Sequence, residues 1–184
     1  EVKWVGADLG FPAPYSPASR LWAPKDGGGA LLDLTVYPLL WALGTLGFPQ
    51  TVSATGWLNE DGVDAQNALT LGYHHGAQAQ LTSSLLAHGP RTATVAGSGG
   101  FLQATGSINN PKELLVRVGF DETRSESFDV VGRGYCYELR EVTRCIQHGL
   151  TESPVMPLED SLNTMRLFDG VRAQLGVSYP NDAR

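Results

Sequence analysis

The chain has little of what a disulfide or metal scaffold needs. Only two of its 184 residues are cysteines, Cys136 and Cys145, and no Cys-x-x-Cys pair occurs. That excludes a disulfide framework and suits a reducing compartment. Both cysteines fall on one expected helix, nine residues apart, on opposite faces and roughly 13 Å from each other at 1.5 Å per residue, too far to bridge. Among four histidines the only adjacent pair is His74-His75, next to Gly76. Neighbouring strand positions face opposite ways, so a hairpin turn is expected there and no metal. Basic charge is also short: 13 Lys+Arg against 19 Asp+Glu give a net charge of -6 without a Lys/Arg cluster. This argues against nucleic acid or an anionic membrane as partner.

No run approaches the roughly twenty apolar residues of a membrane span, and no charged-then-apolar leader is present, so a cytoplasmic location is the default expectation. Also missing are a Gly-x-Ser-x-Gly elbow, which leaves a hydrolase without support, and a Gly-x-Gly-x-x-Gly phosphate turn. The nearest glycine cluster, Gly97-Ser98-Gly99-Gly100, lies between the strand-like runs Thr92–Val95 and Phe101-Leu102 and reads as a tight hairpin connection.

What is there fits one globular domain over residues 1–184. The composition, 42% hydrophobic and 17% charged, supports a sizeable single core. A short strand, 2–7, leads into the segment Phe11–Pro24, whose four prolines favour an extended, looping path. Segments 51–57, 65–73, 77–86, 91–96, 101–105, 113–119 and 126–131 read as strands. The clearest alternates Ala77, Ala79, Leu81, Ser83 and Leu85 with Gln78, Gln80, Thr82 and Ser84. Two helices follow, 135–148 and 157–175, each stopped by a glycine. The second carries Leu158, Leu162, Met165 and Leu175 as its expected packing stripe. The fold class is therefore α+β, an open, mainly antiparallel sheet with helices packed on one face. The Gln/Thr/Ser side is left free for solvent or a partner.

One stretch carries chemistry: Gly27-Gly28-Gly29-Ala30-Leu31-Leu32-Asp33-Leu34-Thr35-Val36-Tyr37-Pro38. Glycines allow close approach of a ligand or second domain, and the helix they start, to about Leu46, aims free N–H groups the same way. Asp33 and Tyr37, four residues apart, stack on one helix face and suit proton transfer to a hydroxyl or carbonyl. The same spacing also describes an ordinary buried helix in which Asp33 makes a structural hydrogen bond. Pro38 removes the bond to Leu34 and disfavours helical geometry at Tyr37, so a kink or break is expected beside the tyrosine. Upstream, Arg20 ends the proline-rich loop, able to reach an anionic or hydroxyl group or to stay solvated. Trp22 beside it is suited equally to stacking on a sugar ring and to covering the core.

This stretch resembles the helix motif in the C-terminal domain of the glucose-fructose oxidoreductase / inositol dehydrogenase (Gfo/Idh/MocA) family of NAD(P)-dependent oxidoreductases. Gly62-Val63-Asp64, Arg91 through Gly100, and the ending from Glu152-Ser153-Pro154 through Gly176-Val177-Ser178-Tyr179-Pro180 follow the family's order. The Tyr37-Pro38 version is most similar to the dihydrodiol and pentose dehydrogenase branch. Thr35 departs from the pattern, because the family usually has glycine there.

The resemblance implies the substrate-binding and oligomerisation half of an enzyme acting on a sugar, polyol or diol. NAD or NADP would be held mainly by an N-terminal dinucleotide-binding domain, with its Glu-Lys-Pro segment, that this chain lacks. The start at Glu1 instead of Met reads as an excision from a longer polypeptide. The isolated chain is accordingly expected to be inactive. In the roles the resemblance implies, Tyr37 transfers the proton, aided by a lysine of the other domain. Asp33 orients substrate hydroxyls, Arg20 and Trp22 bind substrate, and Gly28 and Gly29 face the cofactor at the domain junction. A homodimer through the open sheet face is implied as well. The alternative is a non-catalytic binding or scaffold module that keeps Asp33 and Tyr37 as remnants.

Overall fold

The computed structural model describes residues 1–182. Alternation decides which side of its sheet is covered. Along Gln78–Ser84, Ala79, Leu81 and Ser83 are buried while Gln78, Gln80 and Thr82 are exposed. The strands are β1 (Val2–Gly10), β2 (Thr51–Leu58), β3 (Asp64–Gly72), β4 (Gln78–Ser84), β5 (Ala93–Gly97), β6 (Gly100–Ala104), β7 (Glu113–Val118) and β8 (Arg124–Ser127). They form one eight-stranded sheet in the order β2-β3-β4-β1-β5-β6-β7-β8. Two antiparallel meanders, β2-β3-β4 and β5-β6-β7-β8, lie on either side of β1, which is parallel to β4 and antiparallel to β5. The last strand begins and ends earlier than the expected 126–131. His74–Gly76 forms the turn between β3 and β4, and Gly97 pairs with Gly100 across the β5–β6 hairpin.

The helices are α1 (Ala30–Asp33), α2 (Val36–Leu46), α3 (Tyr135–Gln147) and α4 (Leu158–Leu175). The α+β architecture is the one the sequence implies. Leu31, Leu34, Leu39 and Ala42 of the first helical segment meet Val5, Leu69, Leu71, Ala79 and Leu81 of the sheet in the core, with Trp22, Phe168 and Val171 closing it. At about 25 cal/mol per Å² of apolar surface, each buried leucine contributes on the order of 2 kcal/mol.

Two helix expectations are corrected. The break comes before Tyr37, at Leu34-Thr35, and the axis turns by 49° between the Pro24–Asp33 segment and α2. Pro38 then sits in the first turn of α2, where a missing N–H costs least. The carbonyl of Leu34 that proline cannot serve accepts instead from the amide of Tyr37, at 3.1 Å. On α4 the buried residues are Thr164, Phe168 and Val171, and Leu175 packs partly against the core. Leu158, Leu162 and Met165 are exposed, about a third of a turn away around the helix.

Helix α4 also covers an edge of the sheet. The Gln174 amide accepts from Ala54 N–H at 2.8 Å and donates to the Val52 carbonyl at 3.1 Å, so a side chain continues the ladder of β2. Among the described residues no single helix is long and apolar enough to cross a membrane.

Candidate functional site

The glycine-led stretch is built on β3. Asp64, the first residue of that strand, is fully buried, and its Oδ2 accepts from the backbone N–H of Leu31 at 2.8 Å. A side chain from a distant strand thus serves as the N-cap that α1 lacks locally. The approach explains two of the glycines. At Gly29, with φ +116°, an added Cβ would lie 2.3 Å from Asp64 Oδ1, and at Gly28 it would lie 2.9 Å from Ala23 N. Both glycines are buried, and the Gly28 carbonyl accepts from the Tyr179 hydroxyl at 2.7 Å. The closeness that glycine permits here is to the chain itself.

Asp33 closes α1 and Tyr37 is the second residue of α2, so the two side chains are carried by different helices on either side of the break. Arg20 Nη1 donates to Asp33 Oδ1 at 2.5 Å, with the arginine side chain 72% and the aspartate side chain 17% exposed. The loop arginine is therefore paired, and it neutralises the carboxylate from its solvent side. Tyr37 is 36% exposed, and its hydroxyl has no hydrogen-bond partner among the described residues. Along the chain, an acid held by a cation thus lies on one side of the helix break and a part-exposed phenol on the other.

Trp22 does not join them. It is 2% exposed, its Nε1 donates to the Pro14 carbonyl at 3.1 Å, and the Tyr15 ring meets it edge-on at 5.7 Å. Of the two roles the sequence leaves open for it, the geometry takes covering the core, and its bonds pin the proline-rich loop that presents Arg20.

Sequence reasoning missed the polar layer beneath the site. Asn67 Nδ2 donates to Asp64 Oδ2 at 2.9 Å and to Thr35 Oγ1 at 3.1 Å, and the Thr35 hydroxyl lies 3.2 Å from the Ala30 carbonyl. Thr35, Asp64 and Asn67 are all buried, and Asp64 Oδ1 has no partner. Burial pushes the Asp64 carboxyl up to about 6, against the opposing pull of its bonds from Asn67 and Leu31. Burial also pushes the Tyr179 phenol up to about 12, with the nearby Asp64 charge adding to it. The available signal was an aspartate and an asparagine three residues apart in a strand, since a buried carboxylate needs a partner.

Known proteins resemble this chain over almost all of its length. Trans-1,2-dihydrobenzene-1,2-diol dehydrogenase of Xenopus tropicalis is 33% identical over 194 residues, covering 98% of this chain and 56% of the relative. The enzyme of the same name from Mus musculus is 32% identical, covering 100% and 56%. Aldose-aldose oxidoreductase from Caulobacter crescentus, solved with glycerol, superposes with a TM-score of 0.77 at 20% identity, over 94% of this chain and 53% of that one. A 3-ketoreductase from Actinomadura kijaniata, solved with NADP and TDP-benzene, gives a TM-score of 0.74 at 25% identity, over 95% and 54%. The chain thus spans about half the length of the curated relatives it matches. Residues 1–103 match the model of the GFO/IDH/MocA C-terminal domain, and with that match covering more than half its length, the chain belongs to this family.

Proposed function

We propose that this chain is the substrate-binding and dimerisation part of a cytoplasmic NAD(P)-dependent oxidoreductase that acts on a sugar, polyol or diol. The observation that carries it is that the paired Arg20–Asp33 carboxylate and the free, part-exposed Tyr37 phenol flank the same helix break in the chain. The names of the relatives, a diol dehydrogenase and an aldose oxidoreductase, support the substrate class. Tyr37 exchanges a proton with the reacting oxygen, Asp33 accepts from a neighbouring substrate hydroxyl, and Arg20 fixes the carboxylate. A phenol has an unperturbed pKa near 10 and needs nearby positive charge to act at neutral pH, and this reading assigns that charge to a lysine outside the chain.

No Gly-x-Gly-x-x-Gly phosphate turn occurs in the sequence, and the close approaches at Gly28 and Gly29 are to Ala23 and Asp64. The nicotinamide, which supplies the hydride chemistry, is therefore assigned to an N-terminal dinucleotide-binding domain. In support, α3 and the first half of α4 leave Tyr135, Leu139, Val142, Ile146, Leu158 and Leu162 exposed, the kind of apolar surface that marks an interface.

Tyr37→Phe in the complete enzyme tests the assignment. Turnover should fall about 10²-fold or more, with stability little changed. Near-normal turnover would remove Tyr37 from the chemistry. For assembly, the exposed Gln78, Gln80 and Thr82 row forms a face short of charge, and we assign it to a two-fold symmetric homodimer. Thr82→Lys should then shift the chain toward monomer in light scattering, by setting like charges near the axis.

A further inference from the structure

We propose that Asp64, Asn67 and Thr35 are positioning residues, a clamp through which strand β3 fixes where Asp33 and Tyr37 stand relative to each other. The proposal rests on the assignment of those two residues made above.

Its basis is a closed circuit of buried hydrogen bonds. One end of the circuit holds the start of α1, through Leu31 N–H to Asp64 Oδ2 at 2.8 Å. The other end holds the break that follows α1, through Asn67 Nδ2 to Thr35 Oγ1 at 3.1 Å. Asn67 joins the two by donating its second N–H to Asp64 Oδ2 at 2.9 Å. Residues 31 and 35 are thus tied to one rigid strand, Asp33 lies midway between the ties, and Tyr37 begins just past the second. A helix of four residues has too few bonds of its own to hold a direction, so its direction is set by β3.

The backbone at the break agrees. The Thr35 amide reaches past the usual acceptor to the Ala30 carbonyl, at 3.0 Å, which the Leu34 amide shares at 2.9 Å. The helix has changed course at the residue whose hydroxyl the clamp holds. Glycine at this position, as the family usually has it, would leave Asn67 without this partner. Thr35 is turned inward and fully buried, so it occupies no space on the side where Asp33 and Tyr37 are open.

The bonds are short-range and buried, and an unmade one leaves a polar group with no water to turn to. Thr35→Val keeps the shape and removes the hydroxyl, while Thr35→Ser keeps the hydroxyl. In the 184-residue chain, Thr35→Val should raise amide exchange at Leu31 and Thr35 by about tenfold or more relative to Leu69 and Leu81 in the sheet. It should also move the side-chain resonances of Asp33 and Tyr37, and Thr35→Ser should restore both. If the valine variant does not fold, Asn67→Ser, which shortens the link without adding apolar bulk, carries the same comparison.

In the complete enzyme, Thr35→Val should lower kcat about tenfold with KM unchanged, and serine should recover it. Exchange and resonances that stay at their wild-type values would overturn the clamp. So would a uniform rise in exchange over the whole sheet, which would mark general destabilisation instead of a local one. A wild-type enzyme without oxidoreductase activity would refute the functional assignment and leave the exchange result standing.

Discussion

Helices α1 and α3 answer to opposite physics. The first has four residues, two of them fully buried, and is tied to β3 at its start and again at the break that follows it. The second has thirteen residues, of which only Cys145 is buried, while Tyr135, Leu139, Val142 and Ile146 form one exposed apolar stripe at helical spacing. Length would rank α3 as the sturdier element, and anchoring ranks it last. A short helix is held by what it buries and bonds to. A long one can carry its own backbone bonds while its apolar face waits for a partner.

The largest effect that sharpens this contrast is Leu31→Ala. It should cost about 2–5 kcal/mol in chemical denaturation, because the vacated site is enclosed by core side chains. A loss under about 1 kcal/mol would show that α1 is not the anchored partner.

Next comes the pH dependence of the α1 anchor. The folded carboxyl of Asp64 sits at about 6 against an ordinary 3.8. Between those values the folded chain holds the proton more tightly than the unfolded chain does. Stability therefore falls as pH rises from about 4 to 6, and the full cost, on the order of 3 kcal/mol, is present above that window. Asp64→Asn keeps an acceptor for Leu31 N–H and removes the charge, so it should flatten this slope in melting temperatures taken from pH 4 to 7. A slope that survives the substitution would place the titration elsewhere.

The smallest expected effect is on α3. Ile146→Asp, at a position 71% exposed, should change the stability of this chain by no more than about 0.5 kcal/mol. A larger loss would mean that the stripe is covered in solution.

How legible each region was in the sequence follows the same division. The sheet could be read because alternation in β4 and the glycine turns are local signals, and the helix ends because Gly149 and Gly176 stop them. The buried face of α4 could not. Leu158, Leu162 and Met165 have the right spacing to pack, and only tertiary contact selects Phe168 and Val171 instead. Asp33, Tyr37 and Arg20 were visible as residue types at a spacing, and the Arg20–Asp33 pair was not, since it depends on how the proline-rich loop returns. The clamp was hidden for a simpler reason. Thr35 and Asn67 are 32 positions apart, and no periodicity joins a helix break to a strand that follows it by a whole helix and another strand.

The place of β1 has a kinetic consequence. It is the first strand of the chain, yet it lies in the middle of the sheet, with Trp4 opposite Gln78 on one side and Ala96 on the other. Each meander can zip up from hairpins whose ends are near in sequence, but neither can join the other until β1 is enclosed, which requires closing a loop of more than seventy residues. The strand that joins the two meanders is therefore also the one whose partners lie farthest along the chain, so the sheet's centre is its least local part.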